Sequence, residues 1–200
     1  MKPEIILAFL WVAYSLVHTL LASDTVKSFF ATLLGSFSKY YRLVYNGLAV
    51  LLILPILNFQ FSIPSQLLLE KSLFNQILGG VMMTSGLFLA YKALTSYDLA
   101  EFVGIQSLQS AQKSSTFKKD ELLSVIRHPL YLGILVFLWG WFGFSGLLSS
   151  IVTALSLTIY IRIGIYFEEK KLVEQFGKAY QDYQKKVPML IPRFEEGLDE

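Results

Sequence analysis

Arg127, His128 and Pro129 stand together in the stretch SVIRHPLYLGILVFLWGWF, and an almost uninterrupted apolar run follows them. Charge at the mouth of such a run is costly to place in or near hydrocarbon, so the triplet calls for a reason. Proline suits the first turn of a helix, where the N–H it lacks would have no intrahelical partner. His128 then falls at or beside the N-cap, with Tyr131 and Gly133 in the first turn or so. The free N–H groups and positive end of that helix suit an anionic group such as a carboxylate. Gly133 admits a ligand or a second helix close to the backbone. Residue types alone favour a plainer account: Arg127 and His128 anchor the interface, Pro129 starts the helix, and Tyr131 joins the aromatic belt.

A second group lies in YIRIGIYFEEKKL. Arg162, Tyr166 and Glu169 are spaced i, i+4, i+7 and share a helix face. Intramembrane charges usually face a protein interior or a wet cavity and have a partner there. Snorkelling is the alternative, because Arg162 is only about 9 Å of helix rise from Glu168. Beyond it Leu172, Phe176, Tyr180, Tyr183 and Val187 form an apolar stripe with charges opposite, and Gly177 breaks or bends it. Pattern favours a helix lying on the membrane surface; a lid over a ligand beside the Arg-His-Pro turn is the other reading. His18 with Tyr14, and Arg42 with Asn46, are polar pairs of the kind that often only join helices. With no cysteine and two distant histidines, the chain offers no metal set.

The elements that must hold these residues are membrane helices. Of 200 residues 54% are hydrophobic and 16% charged, against about 25% charged in soluble chains; the mean hydropathy is +0.52. A net charge of +2 gives no indication of nucleic acid. Crossings are expected over 4–22, 43–61, 74–94, 129–144 and 146–167, the fourth of them short of the ~20 apolar residues a span needs. The last two form a helical hairpin turning at Gly143 and Gly146. The first run, with one basic residue before it, reads as a membrane helix rather than a cleaved signal. Thirteen Lys and Arg fall in the odd-numbered loops and the tail, while Lys2 and Lys71 lie on the other side. The positive-inside rule then puts the N-terminus outside and the C-terminus in the cytoplasm. The expected class is all-α and polytopic, a single domain over 1–200. Its parts are a three-helix region 1–94, a cytoplasmic connection 95–127, and a hairpin with its tail 128–193.

RHPLYLG, the hairpin after it, FEEKKL with QFG and AY downstream, and VPMLIP occur in that order. Together they resemble the integral membrane methyltransferases that use S-adenosylmethionine, and VHTLLAS and YYRLVYN bring the resemblance closest to the methanethiol S-methyltransferases. The resemblance covers nearly the whole chain and is densest over 122–193. It implies that His128, Tyr131 and Gly133 shape the cofactor pocket, that Glu168 and Glu169 close it, and that Tyr180 through Pro192, Pro188 included, fold over it. Arg127 and Pro129 match the motif in structural roles. Arg162 and Glu169 are the expected catalytic pair. The implied reaction is methyl transfer to a small or membrane-partitioning thiol, in the inner membrane of a bacterium or archaeon, with no obligate protein partner. Alternatives are O-methylation of an isoprenylcysteine carboxyl, N-methylation of a phospholipid, or a non-enzymatic, denitrification-associated protein of related fold. Two departures stand out: Glu121, Leu122 and Leu123 replace the Gly-x-Tyr found in relatives, and YDLAEFVGIQ at 97–106 keeps Tyr97, Asp98 and Leu99 but lacks the Arg of the thiol enzymes.

Overall fold

Apolar periodicity without turn residues gives long helices here, and Pro, Gly and Ser punctuate them. The computed structural model describes residues 2–96 and 121–192; the YDLAEFVGIQ stretch lies outside them. Helix α1 (Pro3–Ala22) begins on a proline, and Ser23 then caps α2 (Asp24–Leu34), its hydroxyl accepting the Val26 N–H at 3.3 Å. A 3₁₀ segment, Gly35–Tyr40, leads to α3 (Tyr41–Ser62), followed by α4 (Leu73–Ser96) and α5 (Glu121–Val125). The C-terminal part comprises α6 (Pro129–Ser145), α7 (Leu148–Phe176) and α8 (Lys178–Lys186). Among the described residues every regular element is helical; a lone bridge joins Leu67 to Leu147.

The expected crossings coincide with α1, α3, α4, α6 and the first two-thirds of α7. Among the described residues four stretches are long and apolar enough to cross a bilayer: α1, the run Asp24–Ser62 that contains α3, Leu73–Thr95, and α7. Helix α6 is apolar but has 17 residues, about 26 Å of rise against about 30 Å of hydrocarbon. Phe9, Phe74 and Phe88 are 63%, 72% and 64% exposed on the outside of the bundle, a surface suited to lipid and not to water. The chain is an integral membrane protein. Helix α7 is about 44 Å long by its 29 residues, so the charged turns after Phe167 project past the hydrocarbon.

Two devices hold the bundle. Buried Leu7, Trp11 and Ile56 pack α1 on α3. Trp11 Nε1 donates to Thr153 Oγ1 at 2.8 Å, and that hydroxyl donates to Gln60 Oε1 at 2.8 Å, tying in α7. Small residues join α4 to α6. A Cβ on Gly133 would meet Ala90 N at 2.6 Å and Gly86 O at 2.7 Å, and one on Gly140 would lie 2.9 Å from Gly79 O. Both glycine pairs are seven residues apart, so they recur on one face after two turns and let the antiparallel backbones touch.

The two ends of the bundle differ. At one, Gly146 takes φ +67° between α6 and α7. Its carbonyl accepts the Leu68 N–H at 2.7 Å while Leu148 N–H donates to Gln66 O at 2.8 Å, pinning the α3–α4 linker on the hairpin turn. At the other end lie the start of α2, bonded from Lys171 Nζ to Asp24 Oδ2 at 2.7 Å, and the Arg-His-Pro turn.

Candidate active site

Pro129 starts α6 as expected, which leaves His128 at the N-cap with φ −126° and ψ 64° and no side-chain cap bond. The buried imidazole turns to α7 instead: Nε2 lies 3.1 Å from Glu169 Oε1. Arg127 Nε donates to the same oxygen at 2.7 Å, and its Nη1 donates to the carbonyls of Gln184 (3.0 Å) and Val187 (2.6 Å). Gln184 Nε2 donates to Glu169 Oε2 at 3.1 Å. Both oxygens of Glu169 are therefore engaged, and the Arg127 and Glu169 side chains are only 8% and 13% exposed. Backbone pairing adds to this: Arg127 N–H donates to Pro188 O at 3.0 Å and His128 N–H to Met189 O at 3.1 Å.

The apolar stripe of the tail faces protein and not lipid. Gly177, at φ +56°, turns α8 back onto the end of α7. Tyr180, Tyr183 and Val187 are buried there against Leu172, Val173 and Phe176, so protein covers the stripe that pattern assigned to lipid. Tyr183 Oη donates to Leu123 O at 2.6 Å, fastening α8 to α5. The tail thus packs on the end of α7 beside the Arg-His-Pro turn.

Glu168 faces a different way. Tyr131 Oη donates to its Oε2 at 2.9 Å, and the other oxygen accepts no hydrogen bond from a described residue. Tyr131 also lies beside His128, ring centroids 5.6 Å apart. Beyond the hydrocarbon, burial pushes the Glu169 carboxyl up, but the hydrogen bonds and charges of Arg127 and His128 outweigh it and hold the carboxyl below its ordinary value. Burial, with the negative charge of Glu169 next, pushes the Tyr180 phenol well up; it stays a neutral phenol.

Of the residues singled out in the sequence, His128, Tyr131, Glu168, Glu169, Tyr180 and Pro188 gather at this end of the bundle. Arg162 is exposed and meets Met189 Sδ, one residue past Pro188, so it shares the tail-facing side of α7 with Glu169 but does not pair with it. Gly133 does not open into this cluster. It faces Gly86 and Ala90 of α4, because the helix–helix approach takes all the room beside it. Gln184 is a participant that sequence reasoning missed; it sits on the polar side of the stripe, and periodicity has no means of singling it out.

Tyr131 also lines a cavity of about 560 Å³ inside the bundle, where Trp11, Ile53, Leu57, Phe137, Leu138 and Trp141 supply much of the apolar wall. Tyr14 and Tyr160 are its other phenols. One side chain thus joins a polar cluster at the bundle's end to an apolar chamber within it. Such an arrangement can hold a polar ligand and an apolar one side by side. Comparison with known proteins finds methyltransferases among similar chains. Over 92 residues the chain is 37% identical to methanethiol S-methyltransferase 2 of Bradyrhizobium diazoefficiens, covering 46% of this chain and 34% of that protein. Over 126 residues it is 36% identical to the methanethiol S-methyltransferase of Pseudomonas deceptionensis, covering 58% and 47%. The chain is similar to methyltransferases. A further match, 36% over 77 residues and 36% and 31% of the two chains, is the protein-S-isoprenylcysteine O-methyltransferase of Schizosaccharomyces pombe. These matches support the resemblance to membrane methyltransferases drawn from the motifs. The chain spans about a third to a half of the length of these curated relatives. No protein-family model matches it, and no solved structure matches significantly.

Proposed function

We propose that this protein is a membrane methyltransferase that uses S-adenosylmethionine and methylates a small or membrane-partitioning thiol. The observation that carries this reading is the junction at Tyr131, which bonds Glu168 on one side and lines the apolar cavity on the other. Residues 128–193 form the donor-binding part. The side chains present suit a cationic, amino-bearing donor: Glu168 keeps an oxygen for a charged hydrogen bond, and the Tyr131 face favours positive charge. His128, Glu169 and Pro188 act there through the hydrogen bonds that fasten the tail, Tyr180 through its buried ring, and Arg162 borders the site at Met189. When bound, S-adenosylmethionine supplies an electrophilic methyl group. The rest of the task is alignment, exclusion of water by the folded tail, and delivery of a nucleophile from the cavity, so positioning can supply much of the rate. The thiol class is carried over from the names of the relatives, and the cavity's apolar wall agrees with it.

The test is methyl transfer by the purified protein, reconstituted in vesicles, from labelled S-adenosylmethionine to short alkanethiols, a prenylcysteine and phospholipids. Label in a thioether is the expected outcome. Label only in a carboxyl ester or an amine would replace the acceptor class, and no donor binding by calorimetry would overturn the reading as a whole.

A further inference from the structure

His18, on α1, is held from two sides within the bundle. Tyr160 Oη, from α7, lies 2.7 Å from its Nδ1, and Tyr45 Oη, from α3, lies 3.3 Å from its Nε2. The Tyr14 ring is tilted beside it, centroids 5.8 Å apart. Joining three helices would by itself account for such a cluster. The cavity adds a second observation. Tyr160 and Tyr14 both line it, His18 does not, and its lining holds no charged side chain. Tyr160 is thus a phenol at the chamber wall with an imidazole directly behind it.

A thiol in such a chamber faces a difficulty. The thiolate is the nucleophile, and apolar surroundings raise a thiol's pKa from its free value near 8.5. A base at the wall removes it. We infer that Tyr160 and His18 form a proton-accepting pair for the methyl acceptor, with Tyr160 the group that touches the thiol and His18 the base behind it. This rests on the thiol-methylating function proposed above. In the step, the S–H proton passes to Tyr160 Oη as the phenol proton passes to His18 Nδ1. Tyr160 ends as a phenol, His18 as an imidazolium whose Nε2–H points to Tyr45, and the acceptor as a thiolate. As the sulfur pair forms the new S–C bond, the donor's bond between its sulfonium sulfur and the methyl group breaks, and that electron pair leaves with the donor as a neutral thioether. The product is a neutral sulfide, and the imidazolium releases its proton to water. Tyr131 is the competing route, since it too lines the cavity and is backed by Glu168. A carboxylate that holds a cationic donor is a poorer proton acceptor, which favours Tyr160.

Acceptor acidity separates these possibilities. In full-length protein, His18→Gln and Tyr160→Phe should slow methylation of an alkanethiol by roughly a hundredfold, the usual worth of a positioned base. Methylation of an aryl thiol, ionised at neutral pH, should change by less than about threefold, and donor affinity should not change. Without donor, the apparent pKa of a bound nitrothiophenol, read from thiolate absorbance, should be higher in both variants than in the wild type. Equal loss with both thiols, or loss confined to Tyr131→Phe, would overturn the assignment, as would wild-type rates. Wild-type protein that binds the donor but methylates no thiol would instead remove the function on which the inference rests.

Discussion

Glu168 and Glu169 are adjacent in sequence and serve different partners. Glu169 receives Arg127, His128 and Gln184 and so fixes the tail, whereas Glu168 meets only the Tyr131 phenol among the described residues. Glu168→Gln should therefore weaken S-adenosylmethionine binding without loosening the fold. A lost charged hydrogen bond is worth about 1.5–3 kcal/mol, or roughly tenfold to over a hundredfold in affinity. His128→Ala, which loosens the tail beside that site, should weaken it as well, and because the two changes act on one site the double variant should lose less than the sum; calorimetry on the four proteins measures this. Glu169→Gln should act on stability. The folded Glu169 carboxyl lies below its ordinary value, so its contribution is fully present above the usual glutamate range and is lost as pH falls through that lower value. The gap in thermal stability between wild type and Glu169→Gln should stay constant near neutral pH and close only in acid. A gap that closes near pH 7 would mean that the Glu169 carboxyl does not control it.

At the scale of elements, the α4–α6 contact depends on glycine backbone meeting backbone. Gly133→Leu should break it, with a fall in thermal stability and loss of all activity, since Ala90 and Gly86 leave no space for a side chain. Gly80→Ala, one residue from Gly79 and with nothing within 4 Å of its Cβ, should be neutral or stabilising by up to about 1 kcal/mol. Equal damage from both changes would show that α4 itself, and not the contact, is fragile. These outcomes also show where the sequence was legible. Apolar runs, Pro129 and the glycines were enough to locate α1, α3, α4, α6, α7 and the hairpin, because length and composition dictate them, but not the short helices α2 and α5. The partner of Gly133 was not legible, since a glycine admits a ligand and a helix equally. Nor was the cover of the Tyr180–Val187 stripe, because amphipathicity records that a face is buried and not what buries it. Arg127 gave a local signal but not its three long-range acceptors, which depend on how α8 returns.

For the whole molecule, the fold divides polar chemistry between two ends. The Gly146 turn and the α3–α4 linker meet at one end, where Lys71 is the basic residue of the linker. Arg127, Lys170, Lys171, Lys178, Lys185 and Lys186 lie at the other, with the Glu169 network and the Asp24 contact. On the proposed orientation, with basic residues retained on the cytoplasmic side, the proposed donor site would face the water where a soluble cofactor is made, and the cavity would lie within the bilayer. If α1, α3, α4, α6 and α7 each cross once, as proposed, the two termini lie on opposite sides. The short α6 is the weak member of that count: alone it falls a few ångströms short of the hydrocarbon, and its packing on α4 and α7 is what would carry it across. A reporter active only in the cytoplasm should therefore work when fused after Glu200 and fail when placed before Met1. One inserted between Ile63 and Ser72 should fail, because that linker is pinned to the hairpin turn at Gly146, at the end opposite the basic cluster. Activity from both termini would mean that α6 and α7 enter and leave by the same face, and would move the Gly146 turn off the outer surface.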